Sequence, residues 1–198
     1  MKLFFSYTSP YARKCRIVAM EHKLDSKIEL IAADPGNPKS GVKDVNPLTK
    51  IPVLILDDGS SLYDSPVICE YLDVLGGGGF FPPAGKAKWE ALRRQALGDG
   101  IVDAAILLRY EITLRPENLR SKEWMDRQQT KVIQSLDALE ADPLPSNIDI
   151  GTISIAAALD YIDFRFADMA WRNTRPKLAR WHEAFSKRPS LQSTLPKD

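Results

Sequence analysis

Apolar residues follow two different rhythms along this chain. Near the amino end they come in short runs. Lys2 to Ser6 is a compact apolar segment of strand length, broken by Tyr7 to Pro10. Between Pro10 and Glu21, Cys15, Ile17 and Val18 fall on one inner face, which predicts a helix with Pro10 at the tolerated first position. Ile28 to Ala32 and Val53 to Leu56 read as further strands, separated by a turn-rich loop over Pro35 to Gly41. Asp57-Asp58-Gly59 is a hairpin signal that returns as a short strand, Ser61 to Tyr63. Val67, Ile68, Tyr71 and Leu72 then predict a helix over Ser65 to Leu75. Strand, helix, strand, hairpin and helix in that order describe a small mixed-sheet α/β domain.

Gly76 to Gly79 followed by Phe80-Phe81-Pro82-Pro83 is the clearest boundary, because glycines end a helix and prolines delay a restart. Beyond it the rhythm is helical only. Leu92, Ala96, Ile101, Ala105, Leu108 and Ile112 predict a long helix from Lys86 to about Arg115, ended by Pro116. Further helices are predicted over Ser121 to Glu140, Thr152 to Phe166 and Pro176 to Ser186, the last stopping near Pro189. The expected division is residues 1–76, a linker over 77–84, and an all-helical domain over 85–198.

Charge narrows the function classes. The 198 residues carry a formal net charge of +1, with acids and bases interspersed, so nothing electrostatic favours nucleic acid or an anionic membrane as partner. No apolar run is long enough to span a bilayer. The two cysteines, Cys15 and Cys69, have no metal-like spacing, so no metal is expected, and two free thiols suit a reducing, cytoplasmic compartment.

Three segments carry candidate chemistry. In Tyr7-Thr8-Ser9-Pro10-Tyr11-Ala12-Arg13 a hydroxyl precedes a helix start, where unpaired N–H groups and the dipole favour an anion and ease thiol ionisation. Ser9 in this place also reads as a plain N-cap. In Lys50-Ile51-Pro52-Val53 the proline precedes a strand; a cis bond there exposes the Ile51 backbone to an extended peptide, and a trans bond leaves an ordinary loop. In Tyr63-Asp64-Ser65-Pro66 the serine reads as an N-cap, and Asp64 with Ser65 suits the amino and carboxylate groups of an amino-acid head.

In joint order and spacing, Ser9-Pro10-Tyr11-Ala12-Arg13, Asn46-Pro47, Lys50-Ile51-Pro52-Val53-Leu54, Asp64-Ser65 and Ile68-Tyr71-Leu72 resemble the glutathione S-transferase family, and within it a bacterial YibF-like branch. Ala96 to Ala104 and the apolar helix after Asp149 extend the resemblance over nearly the whole chain. It implies a thioredoxin-like α/β N-terminal domain followed by an all-α C-terminal domain, with glutathione as cosubstrate and a homodimer. By that resemblance Ser9 stabilises the glutathione thiolate, with Tyr7 at the end of the first strand as its rival. Ile51 pairs with the cysteinyl backbone beside a cis Pro52, Asp64 and Ser65 hold the γ-glutamyl end, and Lys50 lies near the glycyl carboxylate. An apolar electrophile is expected in a cleft lined by Tyr11, Ile106, Arg109 and Tyr110. A non-catalytic glutathione-binding protein, or a regulatory interaction protein using the same fold, is the alternative.

Two departures from the family pattern stand out. Glutathionyl-exchange members carry cysteine where this chain has Ser9, and Cys15 lies well inside the helix, as a packed core thiol would. Asp149 and Thr152 exchange the family's residue types, which predicts loss of the reciprocal bond of a capping box. His22 and His182 have no partner nearby in sequence and read as solvated or capping. Asp99 and Asp103 share a helix face; Asp99 sits between Gly98 and Gly100, each costing about 1 kcal/mol in a helix, so close packing or a ligand is expected there.

Overall fold

A computed structural model describes all of residues 1–198. Strands β1 (Lys2–Phe5), β2 (Glu29–Ala32), β3 (Val53–Ile55) and β4 (Ser61–Leu62) form one sheet in the order β2-β1-β3-β4. β1 runs parallel to β2 and antiparallel to β3, with Leu3 opposite Leu30 and Leu54. The parallel pair needs a crossover, supplied by helix α1 (Pro10–Glu21). α3 (Ser65–Leu75) packs beside α1, and both press apolar faces on the sheet through Cys15, Ile17, Val18, Ile68, Cys69 and Leu72. The strands are one residue or so shorter than the apolar runs that predict them. A four-residue helix, α2 (Val42–Val45), closes the loop before β3; its four residues are too few to show a helical period.

After the glycine run, where Gly77, Gly78 and Gly79 all take positive φ, four longer helices follow. They are α4 (Gly85–Thr113), α5 (Lys122–Ala141), α6 (Ile150–Arg165) and α7 (Pro176–Phe185). A short α8 (Pro189–Ser193) starts at the proline expected only to stop its predecessor, since proline suits a first helical turn. The fold is a thioredoxin-like α/β unit joined to an all-helical one. No helix is long and apolar enough to cross a membrane.

α6 is the hub. Every residue from Ile150 to Ile162 is buried, against α4 on one side and α1 on the other. The α4 face it meets keeps Ile101, Ala105 and Leu108 of the predicted stripe and departs from it in the first turns and at Ile112. Ala91, Gln95, Gly98, Ile101, Val102 and Ala105 are buried, while Ala96 and Ile112 are exposed and Leu92 is intermediate. Small residues decide this. A Cβ on Gly98 would lie 2.7 Å from the Ser154 carbonyl carbon, so close helix packing accounts for that glycine. A Cβ on Gly100 meets nothing within 4 Å.

The expected loss at the α6 cap does not occur. The Thr152 N–H donates to Asp149 Oδ1 at 2.8 Å, and the Asp149 N–H donates to Thr152 Oγ1 at 2.8 Å. A hydroxyl accepts as well as a carboxylate, so the box closes with its residue types exchanged. Asp149 also pairs with Arg94 at 3.1 Å.

Candidate active site at the junction of the two units

Ser9 has extended backbone and caps α1: its Oγ accepts from the Ala12 N–H at 3.2 Å. Pro10 has no N–H, and the intrahelical ladder begins with Arg13 donating to the Ser9 carbonyl at 3.0 Å. The Tyr11 N–H is therefore left at an open, positive helix end, beside a hydroxyl whose own proton is free to donate. Tyr7 is 43 % exposed; its ring lies edge-on to Phe5, with the Arg16 guanidinium and the Lys197 ammonium over it.

The turn before β3 is shaped by Asn46, which is 2 % exposed. Its amide donates to the Lys50 carbonyl and accepts from the Leu48 N–H, both at 2.9 Å. The Ile51–Pro52 peptide is cis, as the resemblance implies. The Ile51 N–H and C=O take part in no hydrogen bond within the chain. Lys50 is exposed.

At the start of α3 the cap is Asp64, not Ser65, which is the first helical residue. The cap lies one residue earlier than expected because Asp64 is the residue with extended backbone. The Asp64 side chain is exposed and makes no capping bond, so its carboxylate stays available, and Ser65 is buried beneath it. The Tyr63–Asp64 peptide is also cis.

Across the junction, the Tyr11 hydroxyl donates to Asp103 of α4. Burial raises its pKa well above the ordinary tyrosine value, and Asp103 adds to the rise. Tyr11 and Ile106 pack against one apolar cluster with Leu97 and Tyr161. Arg109 is partly buried, and Tyr110 is 54 % exposed. The four residues expected in the cleft are thus brought to α1 and one end of α4.

Sequence reading missed what ties α1 in place. Lys14 is 1 % exposed on its side chain and meets Asp99 at 2.6 Å. Burial lifts the Asp99 carboxyl above the usual range despite Lys14, and the nearby Asp103 and Asp64 charges add to the rise. Arg13, 2 % exposed, pairs with Asp160 of α6 at 2.7 Å and donates to the Thr194 and Leu191 carbonyls at 3.0 and 3.2 Å. His182 is not solvated: it is 3 % exposed, 3.0 Å from Asp160. Burial pushes the Asp160 carboxyl up, but His182 and Arg13 outweigh it and hold the carboxyl below its ordinary range. His22 likewise has a partner, Asp73 at 2.8 Å, whose carboxylate also accepts from the Phe80 and Phe81 N–H groups. Each partner lies tens of residues away or more, beyond any local signal.

Asp160, Asp163 and His182 bring possible ligand atoms within 4.8 Å of one another, but Arg13 and Arg172 are already paired with those carboxylates. Cys15 and Cys69 are both fully buried, their sulfurs 3.8 Å apart. Burial pushes the Cys15 thiol up, away from reactivity.

This geometry, a capped helix end, a cis-proline turn and an acidic α3 start beneath a helical unit, belongs with a family match over both halves. Residues 8–75 match the glutathione S-transferase N-terminal domain and residues 122–184 the C-terminal domain. The chain belongs to the glutathione S-transferase family. It is 35 % identical to the uncharacterized GST-like protein YibF of Escherichia coli K12, over 99 % of this chain and 98 % of that one. A glutathione transferase family member from Pseudomonas fluorescens Pf-5, solved with bound glutathione, is 41 % identical with a TM-score of 0.95, covering 100 % of this chain and 99 % of that one. A glutathione S-transferase from Methylobacillus flagellatus KT, also with glutathione bound, is 37 % identical with a TM-score of 0.93 over 99 % of each chain.

Proposed function

We infer that this protein binds glutathione and transfers its sulfur to an electrophile held between the two units. The observation that carries this reading is one run of unsatisfied groups: the Tyr11 N–H and Ser9 hydroxyl, the Ile51 backbone pair, and the free Asp64 carboxylate. They match a thiolate, a cysteinyl backbone and a γ-glutamyl ammonium in turn, with Ser65 on the γ-glutamyl carboxylate and Lys50 near the glycyl end. The Pseudomonas fluorescens relative has also been solved with S-(propanoic acid)-glutathione, a glutathione bearing a carbon substituent on sulfur, which favours conjugation over storage alone.

Ionising a thiol near neutrality needs a pKa drop of about two units, roughly 2.7 kcal/mol. A hydroxyl hydrogen bond and a helix end together supply energy of that order. The thiolate sulfur forms a bond to the electrophilic carbon. A halide leaves with its bonding pair, or an activated alkene passes its π pair to the next carbon, which takes up a proton. The apolar part of the electrophile rests on Tyr11, Ile106 and Tyr110. Residues 1–76 serve as the glutathione unit and 85–198 as the electrophile unit, joined by 77–84. Exposed Val67, Val74 and Leu75 on α3, with Leu107 on α4 and Leu114 just past its end, support a homodimer. Two buried, unpaired thiols suit a cytoplasmic home.

The test compares Ser9→Ala with Tyr7→Phe, following glutathione thiolate absorbance and kcat/KM for a halogenated aromatic. Ser9→Ala is expected to lose roughly a hundredfold in kcat/KM, the scale of one lost donor to a developing anion, and Tyr7→Phe to change little. Loss only in Tyr7→Phe transfers the role to the tyrosine. No loss in either ends the thiolate assignment.

A further inference from the structure

Helix α1 carries the open end at Ser9, and α4 carries Ile106 of the electrophile cleft, yet α6, not α4, is the helix packed directly on α1. The gap from α1 to α4 is spanned by long side chains. Lys14 meets Asp99 at 2.6 Å, and the Tyr11 hydroxyl donates to Asp103. Tyr11 and Lys14 are three apart on α1, and Asp99 and Asp103 are four apart on α4, so the two contacts form successive rungs. The Lys14 rung is the inner one, since the lysine is buried. The Tyr11 rung is the outer one, since Tyr11 is partly buried and Asp103 is exposed.

Tyr11 belongs to both units. Its backbone lies in the first turn of α1, with its N–H at the open helix end beside Ser9. Its ring packs against the apolar cluster of the helical unit, as Leu97 and Ile106 do, and no other residue that precedes α4 joins that cluster. Apolar packing alone gives a ring little direction, whereas a hydroxyl bond fixes where its tip points. Burial and Asp103 both raise the phenol, so it keeps its proton and stays the donor. With that one proton committed to Asp103, the hydroxyl serves as an anchor and not as a donor to sulfur.

We propose that Asp103 is a positioning residue: by holding the Tyr11 hydroxyl it fixes the end of α1, and the glutathione sulfur bound there, in line with an electrophile resting on Ile106. This rests on the conjugating reading above and deepens it. Asp103 acts through Tyr11 and not on either reactant. Ile106 lies three residues beyond Asp103, on the same face of α4, so the anchor and the electrophile's seat move as one body. A misplacement of about 1 Å between reacting atoms costs up to about a hundredfold in rate. One bond at the reacting end of α1 therefore matters more to turnover than to stability.

The experiment follows the single-turnover rate of conjugation to a halogenated aromatic in the full-length protein. It is read on the pH plateau where the bound thiol is fully ionised, so that a change in thiol acidity cannot imitate misalignment. Tyr11→Phe and Asp103→Ala are each expected to lose about tenfold in that rate, with the calorimetric affinity for glutathione kept. Asp103→Asn, whose amide oxygen still accepts, is expected to recover most of the loss. The double variant Tyr11→Phe/Asp103→Ala is expected to be no slower than either single one, because both break the same bond. Thermal unfolding confirms that each variant is folded. An unchanged rate in Asp103→Ala, or losses that multiply in the double variant, overturns the positioning role. A parallel loss of glutathione affinity overturns it too, by making the pair a support for binding. If wild type takes up no glutathione or conjugates nothing, the conjugating reading falls first and the positioning role falls with it, whereas wild-type turnover with an indifferent Asp103→Ala overturns the positioning role alone.

Discussion

The two halves of the candidate site are made in different ways. The half proposed for glutathione comes from three short segments, each shaped by neighbours in sequence: Ser9 capping its own helix, Asn46 folding the turn before Ile51, and Asp64 opening α3. The half proposed for the electrophile exists only where helices meet, through Tyr11 on Asp103 and through Gly98 against Ser154. One half is therefore set by turn and cap chemistry and the other by packing. A change in either kind of contact should reach one half before the other.

The largest expected effect removes what both halves share. Asp160→Ala leaves Arg13 buried without its carboxylate and should cost about 3–5 kcal/mol in urea unfolding, as breaking a buried pair does. The acid limb of stability tests the same group. Asp160 titrates below its unfolded value, so the stability it confers is complete above that value, about pH 3.9, and is lost as pH falls through the lower folded pKa. Asp160→Asn should flatten that loss. An unchanged acid limb would show that the pair does not hold the junction.

Gly98→Ala should come next, at about 1–3 kcal/mol from overpacking, because its Cβ would lie 2.7 Å from the Ser154 carbonyl carbon. Its kinetic signature should be a raised KM for the electrophile with glutathione affinity kept, sharpening the division between the halves. Asn46→Ala should do the reverse: weaker glutathione binding, by calorimetry, with about 1–3 kcal/mol lost from unsatisfied backbone groups. The smallest effect has the opposite sign. Gly100→Ala, with open space at its Cβ, should stabilise α4 by up to about 1 kcal/mol. If Gly98→Ala and Gly100→Ala behave alike in thermal unfolding, close helix packing is not what sets them apart.

The same contrast explains what could be read from the sequence. Strand and helix periods announced β1, α1, α3 and the four long helices, and the glycine run announced the break between units. Ser9, Ile51, Pro52 and Asp64 stood out because cap and turn chemistry is local. The inner face of α4 did not: Leu92 and Ala96 looked like core, yet Gly98 and Ala91 are buried because α6 comes too close for larger side chains. His182 looked solvated, and nothing local marked Arg13 or Lys14 for burial, because their partners are set by topology alone. The Asp149–Thr152 box was misjudged for a different reason, since a rule written for carboxylates at the third position overlooks that a hydroxyl accepts equally well.

Arg13 also bears on how the chain matures. Two of its acceptors, the Leu191 and Thr194 carbonyls, come 178 and 181 residues after it. During synthesis the first helix leaves the ribosome with a cation in its core and nothing yet made to receive it. The amino-terminal unit therefore has no finished interior of its own while translation proceeds, and its last polar debt is settled only when the tail folds back against α1.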